Sequence, residues 1–198
     1  MKIYISPSLP LFLFSVAISD KPHFAVITAL AAALHELGHI LAARSIGIPI
    51  KSLRLSVFGA SIETDALTCS YGKEIFLSLC GPASNIFWAF VSALAFGLGG
   101  GSLFFITVSL FLAFLNLIPA GSFDGGRILS CVLCSFLSPT IAHRVSEAVS
   151  FLCIFVLWTT SVYFILKTGA YLSLFIFSCS LFSRIFIFDG KFSARWSR

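Results

Sequence analysis

His35-Glu36-Leu37-Gly38-His39 sets two imidazoles four residues apart, with a carboxylate beside the first. On a helix, side chains at i and i+4 share a face, so both rings can reach one metal ion. Glu36 then stands where it can take a proton from a water on that ion. Zinc suits such a set, because it lowers the pKa of its water toward about 7 and so provides hydroxide at neutral pH. HExxH is short and arises by chance in soluble proteins. Here it lies in an apolar run, Phe24–Ala43, where each ionisable group costs about 2.5–3.5 kcal/mol or more on insertion. The plain alternative is two histidines and an acid hydrogen-bonded between helices.

Two histidines leave a catalytic zinc site one protein ligand short, with the fourth position open to water. The other acids are Asp20, Glu63, Asp65, Glu74, Asp124, Glu147 and Asp189. Asp20 falls opposite most of the positive charge. Glu63 and Asp65 lie on a predicted hairpin, and Glu74 sits beside Lys73 where a span begins. Glu147 is spaced to pair with Arg144 at i, i+3, and Asp189 opens a basic tail. Asp124 stands out. It ends a broken stretch within Asn116–Arg127, NLIPAGSFDGGR, and irregular backbone at membrane depth is tolerated only against a cavity or buried in protein. A helix cap or turn is its alternative role.

These residues need elements that can hold them in lipid. The chain is 58% hydrophobic and 11% charged over 198 residues, with a mean hydropathy of +1.02. That composition predicts an all-α polytopic membrane protein. Apolar runs give about six transmembrane helices: Ile3–Ile18, Phe24–Ala43, Ile75–Phe96, Ser102–Ile118, Val145–Leu166 and Ala170–Phe188. The first is short and carries Pro7 and Pro10. It reads as a short span, with a signal peptide as the alternative.

Charge sets the topology. Lys2, Arg44, Lys51, Arg54, Lys73, Arg127, Arg144, Lys191, Arg195 and Arg198 fall on one side, with Arg184 near it, and only Lys21 and Lys167 on the other. The positive-inside rule then puts both termini and the active-site opening in the cytoplasm, with Trp196 as an interfacial anchor. The net charge of +5 does not imply nucleic acid, since no basic run is interleaved with aromatics. Cys131-x-x-Cys134 lacks the second pair of a zinc ribbon, so a structural role is expected.

Pro49–Asp65 alternates apolar and polar residues through Leu53, Leu55 and Val57. It predicts a β-hairpin turning near Gly59, re-entrant or at the membrane interface after the second span. A short helix is expected from Gly125 to about Leu137, capped by Asp124. Pro82 should disturb the third span and free a carbonyl for a neighbour. One domain, 1–198, is expected.

His35–His39 followed by Asn116-x-x-Pro119-x-x-x-x-Asp124-Gly125 resembles the paired signature of site-2 proteases, the intramembrane zinc metalloproteases of peptidase family M50. Gly81-Pro82-x-x-Asn85 resembles their GPxxN element, and Phe58-Gly59 their re-entrant strand region. The resemblance runs nearly to Asp189 and is strongest to the short bacterial branch that includes the stage IV sporulation protease. It implies one catalytic Zn2+ held by His35, His39 and Asp124, with Glu36 as the catalytic acid/base. It implies that Asn116 holds substrate or stabilises the tetrahedral intermediate, with a cap on the broken helix as the plain alternative. Phe58 and Gly59 would bind substrate. Asn85 would pack helices or support a ligand from behind.

Gly121, Ser122 and Phe123 depart from the family pattern, so a looser loop is expected. No room is expected for a PDZ or nucleotide-sensing CBS domain. The implied activity is hydrolysis of a peptide bond in or beside a transmembrane segment of a membrane-associated protein, such as a pro-sigma or anti-sigma factor, in a bacterial cell membrane. No nucleic-acid partner is implied, and oligomeric state is not readable. A zinc-binding transporter or regulator without protease activity is the alternative. So is a membrane-anchored protease of another class with Glu147 as third ligand.

Overall fold

Apolar side chains point outward along most helices of this chain, as they must when the solvent is lipid. Phe90, Phe114 and Val26 are each more than 60% exposed. The computed structural model describes residues 2–5, 22–48, 50–56, 59–64, 70–121 and 123–168, with 175, 178, 179 and 181. Two compact units divide the chain, Met1–Asn116 and Leu117–Arg198.

The first unit holds β1 (Lys2–Ile5), α1 (Pro22–Ser45), β2 (Ile50–Ser56), β3 (Gly59–Thr64), α2 (Tyr71–Gly97) and α3 (Leu103–Leu117). The strands form one sheet in the order β1-β2-β3. β1 runs parallel to β2, and β2 antiparallel to β3 with a register shift between Ile50 and Ser52. α1 stops at Gly47, whose φ of 69° only glycine takes without strain. The Ile48 amide donates to the Ala43 carbonyl and the Gly47 amide to that of Arg44, the pattern of a Schellman cap. Ile48 then packs with Ala42, Ala43 and Leu77, fixing the end of α1 against α2.

α1 and α2 approach closely because the seam is small. A Cβ on Gly38 would overlap the Cys80 carbonyl oxygen, and the Ser84 hydroxyl donates to the Leu34 carbonyl at 2.7 Å. Small residues and interhelical hydroxyl bonds replace the hydrophobic effect as the source of helix association in lipid.

The second unit holds α4 (Asp124–Phe136) and α5 (Pro139–Thr168). Its connection from α3 is tied down. The Gly121 amide donates to the Ser150 hydroxyl at 2.9 Å, and Ala120 and Phe123 are buried with Ile154 and Leu181. The loose loop expected at Gly121 and Phe123 is thus anchored on α5, while Ser122 lies outside the described residues.

α1 from His23, α2, and α5 as far as Lys167 are each long and apolar enough to cross a bilayer. The chain is a helical membrane protein. These helices begin earlier than the predicted second, third and fifth spans. Apolar runs end at charges such as Lys73 and Arg144, yet a helix continues through them into the headgroup region. The predicted fourth span is α3, whose 15 residues reach about 22 Å against a hydrocarbon core of about 30 Å. The first prediction needs correction at its start: Lys2–Ile5 is a strand, as the alternation of polar and β-favouring residues there allows. Residues 6–18 lie outside the described residues, as does the predicted sixth span apart from 175, 178, 179 and 181.

Candidate metal centre

The first half of the site is built from α1 against α2. His35 and His39 are 6% and 5% exposed, one helical turn apart. Their Nε2 atoms face each other at 3.2 Å. Two nitrogens on one tetrahedral zinc stand about 3.3 Å apart, given Zn–N bonds of about 2.05 Å. The pair is therefore already spaced for a shared ion.

Three positions on α2, each four residues from the next, support the pair. The Leu77 carbonyl accepts the Nδ1–H of His39 at 2.8 Å. That bond fixes the tautomer and leaves the Nε2 lone pair for a ligand. Gly81 has its bare Cα against both rings. A Cβ there would overlap His39 Nε2 and come within 2.8 Å of His35 Nε2. Asn85, fully buried, sets its Nδ2 3.2 Å from His35 Nδ1. Glu36 is half-buried next to His35. The donor chemistry and the cradle at Gly81 fit a zinc ion.

The carbonyl that a neighbour uses near Pro82 is that of Leu77. Proline removes the helical donor of Ser78 instead, one residue further on.

The carboxylate expected from the sequence lies on α4. Asp124 is its first residue and is buried, 7% exposed. The expectation of a cap is corrected: the N-cap is Phe123, in extended backbone, and makes no side-chain cap bond. Asp124 sits one position inside, where the amide dipoles favour a carboxylate. Gly125 and Gly126 let the preceding loop lie on the start of this helix. A Cβ on Gly125 would overlap the Leu117 carbonyl, and one on Gly126 that of Ala120.

Asn116 lies in the last turn of α3, and its amide donates to the Leu112 carbonyl at 2.9 Å. A carboxamide has a second N–H to offer elsewhere. Gly59 opens β3, and Phe58 lies outside the described residues. Glu147 pairs with His143 at 3.1 Å, one turn back. Cys131 and Cys134 are not disulfide-bonded, and burial pushes the Cys134 thiol up, away from the thiolate a metal would need. Spacing alone assigned no role to Gly81 or Leu77, although their four-residue steps toward Asn85 are visible in the chain.

The family model of peptidase family M50 matches residues 101–160. Over 109 residues the chain is 29% identical to Rip3 of Mycobacterium tuberculosis, in strains H37Rv and Erdman, a protein named as a candidate zinc metalloprotease. That alignment takes in 50% of this chain and 28% of the relative, so the chain spans well under half the relative's length. The fold is similar to that of the site-2 protease from Methanocaldococcus jannaschii, with a TM-score of 0.71 and 20% identity, over 92% of this chain and 88% of that one. The family model thus covers residues 101–160, and the likeness over the rest of the chain is one of fold. The M50 match carries α3, α4, Asn116 and Asp124, while HExxH lies before it. The likeness of fold to the site-2 protease extends over nearly all of the chain.

Proposed function

We propose that this chain is an intramembrane zinc metalloprotease that cuts a membrane-associated protein within or next to a transmembrane segment. The observation that carries this reading is the convergence of His35 and His39 Nε2, at 3.2 Å, on the bare Cα of Gly81. This reading assigns His35, His39 and Asp124 as the ligand set, two imidazoles and one carboxylate. When bound, zinc supplies Lewis-acid polarisation of the scissile carbonyl and makes a water acidic enough to attack at neutral pH.

The chain's own residues do the rest. Glu36, beside His35, takes the proton of the attacking water and passes it to the leaving amine. Asn116 turns an amide N–H toward the developing oxyanion or the substrate backbone. A helical substrate hides its carbonyls, so it must be extended first. β3 is an outer strand, paired by β2 on one side, and a substrate segment adds to it by backbone pairing. Phe58 and Gly59 are the residues assigned to substrate, Gly59 at the start of that strand, and the hairpin is re-entrant or interfacial. In the bilayer, about six spans carry both termini to the cytoplasm. Arg44, in the last turn of α1, supports an inner position for the His39 end of that helix.

Glu36→Gln tests the reading. Membrane proteomics of bacteria expressing either form should show an uncut membrane substrate accumulating with the variant, and cleavage in proteoliposomes should fall by about 10²–10⁴-fold with zinc retained. Undiminished cleavage would sink the assignment.

A further inference from the structure

His39 has one tautomer, because the Leu77 carbonyl can only accept its Nδ1–H. His35 has two. Its Nδ1 lies 3.2 Å from Nδ2 of Asn85. With Nδ2 in that place, Asn85 donates, His35 carries its proton on Nε2, and this proton points at His39 Nε2, 3.2 Å away. Asn85, His35, His39 and Leu77 then form a donor-to-acceptor chain. In that tautomer His35 Nε2 has no lone pair for a metal.

The other end of the same amide points to the second tautomer. Asn85 is fully buried, and its Oδ1 has no hydrogen-bond partner among the described residues, a costly condition for a buried acceptor. The two ends of a carboxamide have nearly the same shape, so a half-turn exchanges them in place. Oδ1 then accepts from His35 Nδ1–H. The proton has moved from Nε2 to Nδ1 with no net gain or loss, and the Nε2 lone pair faces the same point as that of His39.

We infer that Asn85 is a positioning residue for the metal ligand His35: its carboxamide turns to accept the Nδ1–H of His35, selecting the tautomer that binds the ion. This role rests on the reading of His35 as a ligand. It explains why an amide suits the position. Leucine has the same shape and serves neither tautomer. Aspartate serves only the metal-binding one. Asparagine satisfies both, so His35 stays hydrogen-bonded whether its proton is on Nε2 or Nδ1.

The test is the zinc affinity of the full chain in detergent, measured by competition with a chromophoric chelator. Asn85→Leu should weaken binding by about 10–100-fold, and Asn85→Asp should retain most of the native affinity. An aspartate variant as weak as the leucine variant would overturn the role, as would a leucine variant that binds like native. Native protein that takes up no zinc would overturn the metal reading, and this role with it. A second measurement needs no variant. In zinc-loaded native protein with 15N-labelled histidine, the magnetic-resonance signals of His35 should show a protonated Nδ1. A protonated Nε2 would overturn the inference.

Discussion

At Gly81, what counts is the side chain that is missing. Its Cα occupies the wall behind both histidine nitrogens, so the smallest addition fills the seat proposed for the ion. Gly81→Ala should reduce bound zinc to background while the helical circular-dichroism signal is kept, because alanine favours a helix more than glycine does. Stoichiometric zinc in that variant would mean the ion sits elsewhere. HExxH was legible because its spacing alone puts two rings on one face of one helix. Gly81 was legible only as part of a motif. Its meaning is a contact between α1 and α2, and sequence does not report which faces of two apolar helices meet. Asp124 was legible as an oddity in a broken stretch, but its place as the first helical residue rather than the cap depends on Phe123, whose packing beside Ala120 and Ile154 fixes where the helix begins.

The loop before α4 is an element held by absence of side chains and by one hydroxyl. Gly126 lies against the Ala120 carbonyl, whereas a Cβ on Gly72, in the first turn of α2, would meet nothing within 4 Å. The same substitution should therefore have opposite signs. Gly126→Ala should destabilise by about 1–3 kcal/mol or more through overlap with backbone that cannot turn aside, and Gly72→Ala should be neutral or stabilise by about 0.5–1 kcal/mol. Thermal unfolding in one detergent compares them directly, and equal midpoints would remove the claim of close packing at Gly126. Hydropathy made α1, α2 and α5 legible, since about 20 apolar residues in a row have few other uses. It set their ends too short, because a run stops at the first charge and a helix does not. β1 was missed for a related reason: a count of apolar residues does not distinguish Lys2–Ile5 as a strand from the start of a span.

On the scale of the molecule, the proposed ligands are far apart in the chain, His35 and His39 preceding Asp124 by 85 residues or more. An ion held by that set would link stretches of chain 85 residues apart, as the positions of His39 and Asp124 show, and its binding would contribute to the stability of the whole fold. At free zinc about 100-fold above its dissociation constant, this contribution is about 2.7 kcal/mol. Removing the metal with a chelator should therefore lower the unfolding midpoint of the native protein, and restoring zinc should raise it again. Asp124→Asn keeps the shape of the side chain but loses the anionic ligand, so most of the chelator's effect should vanish in that variant. A midpoint that does not move while zinc is stripped from the native protein would show that the ion adds nothing to the fold. An undiminished chelator effect in Asp124→Asn would assign the third ligand to another residue.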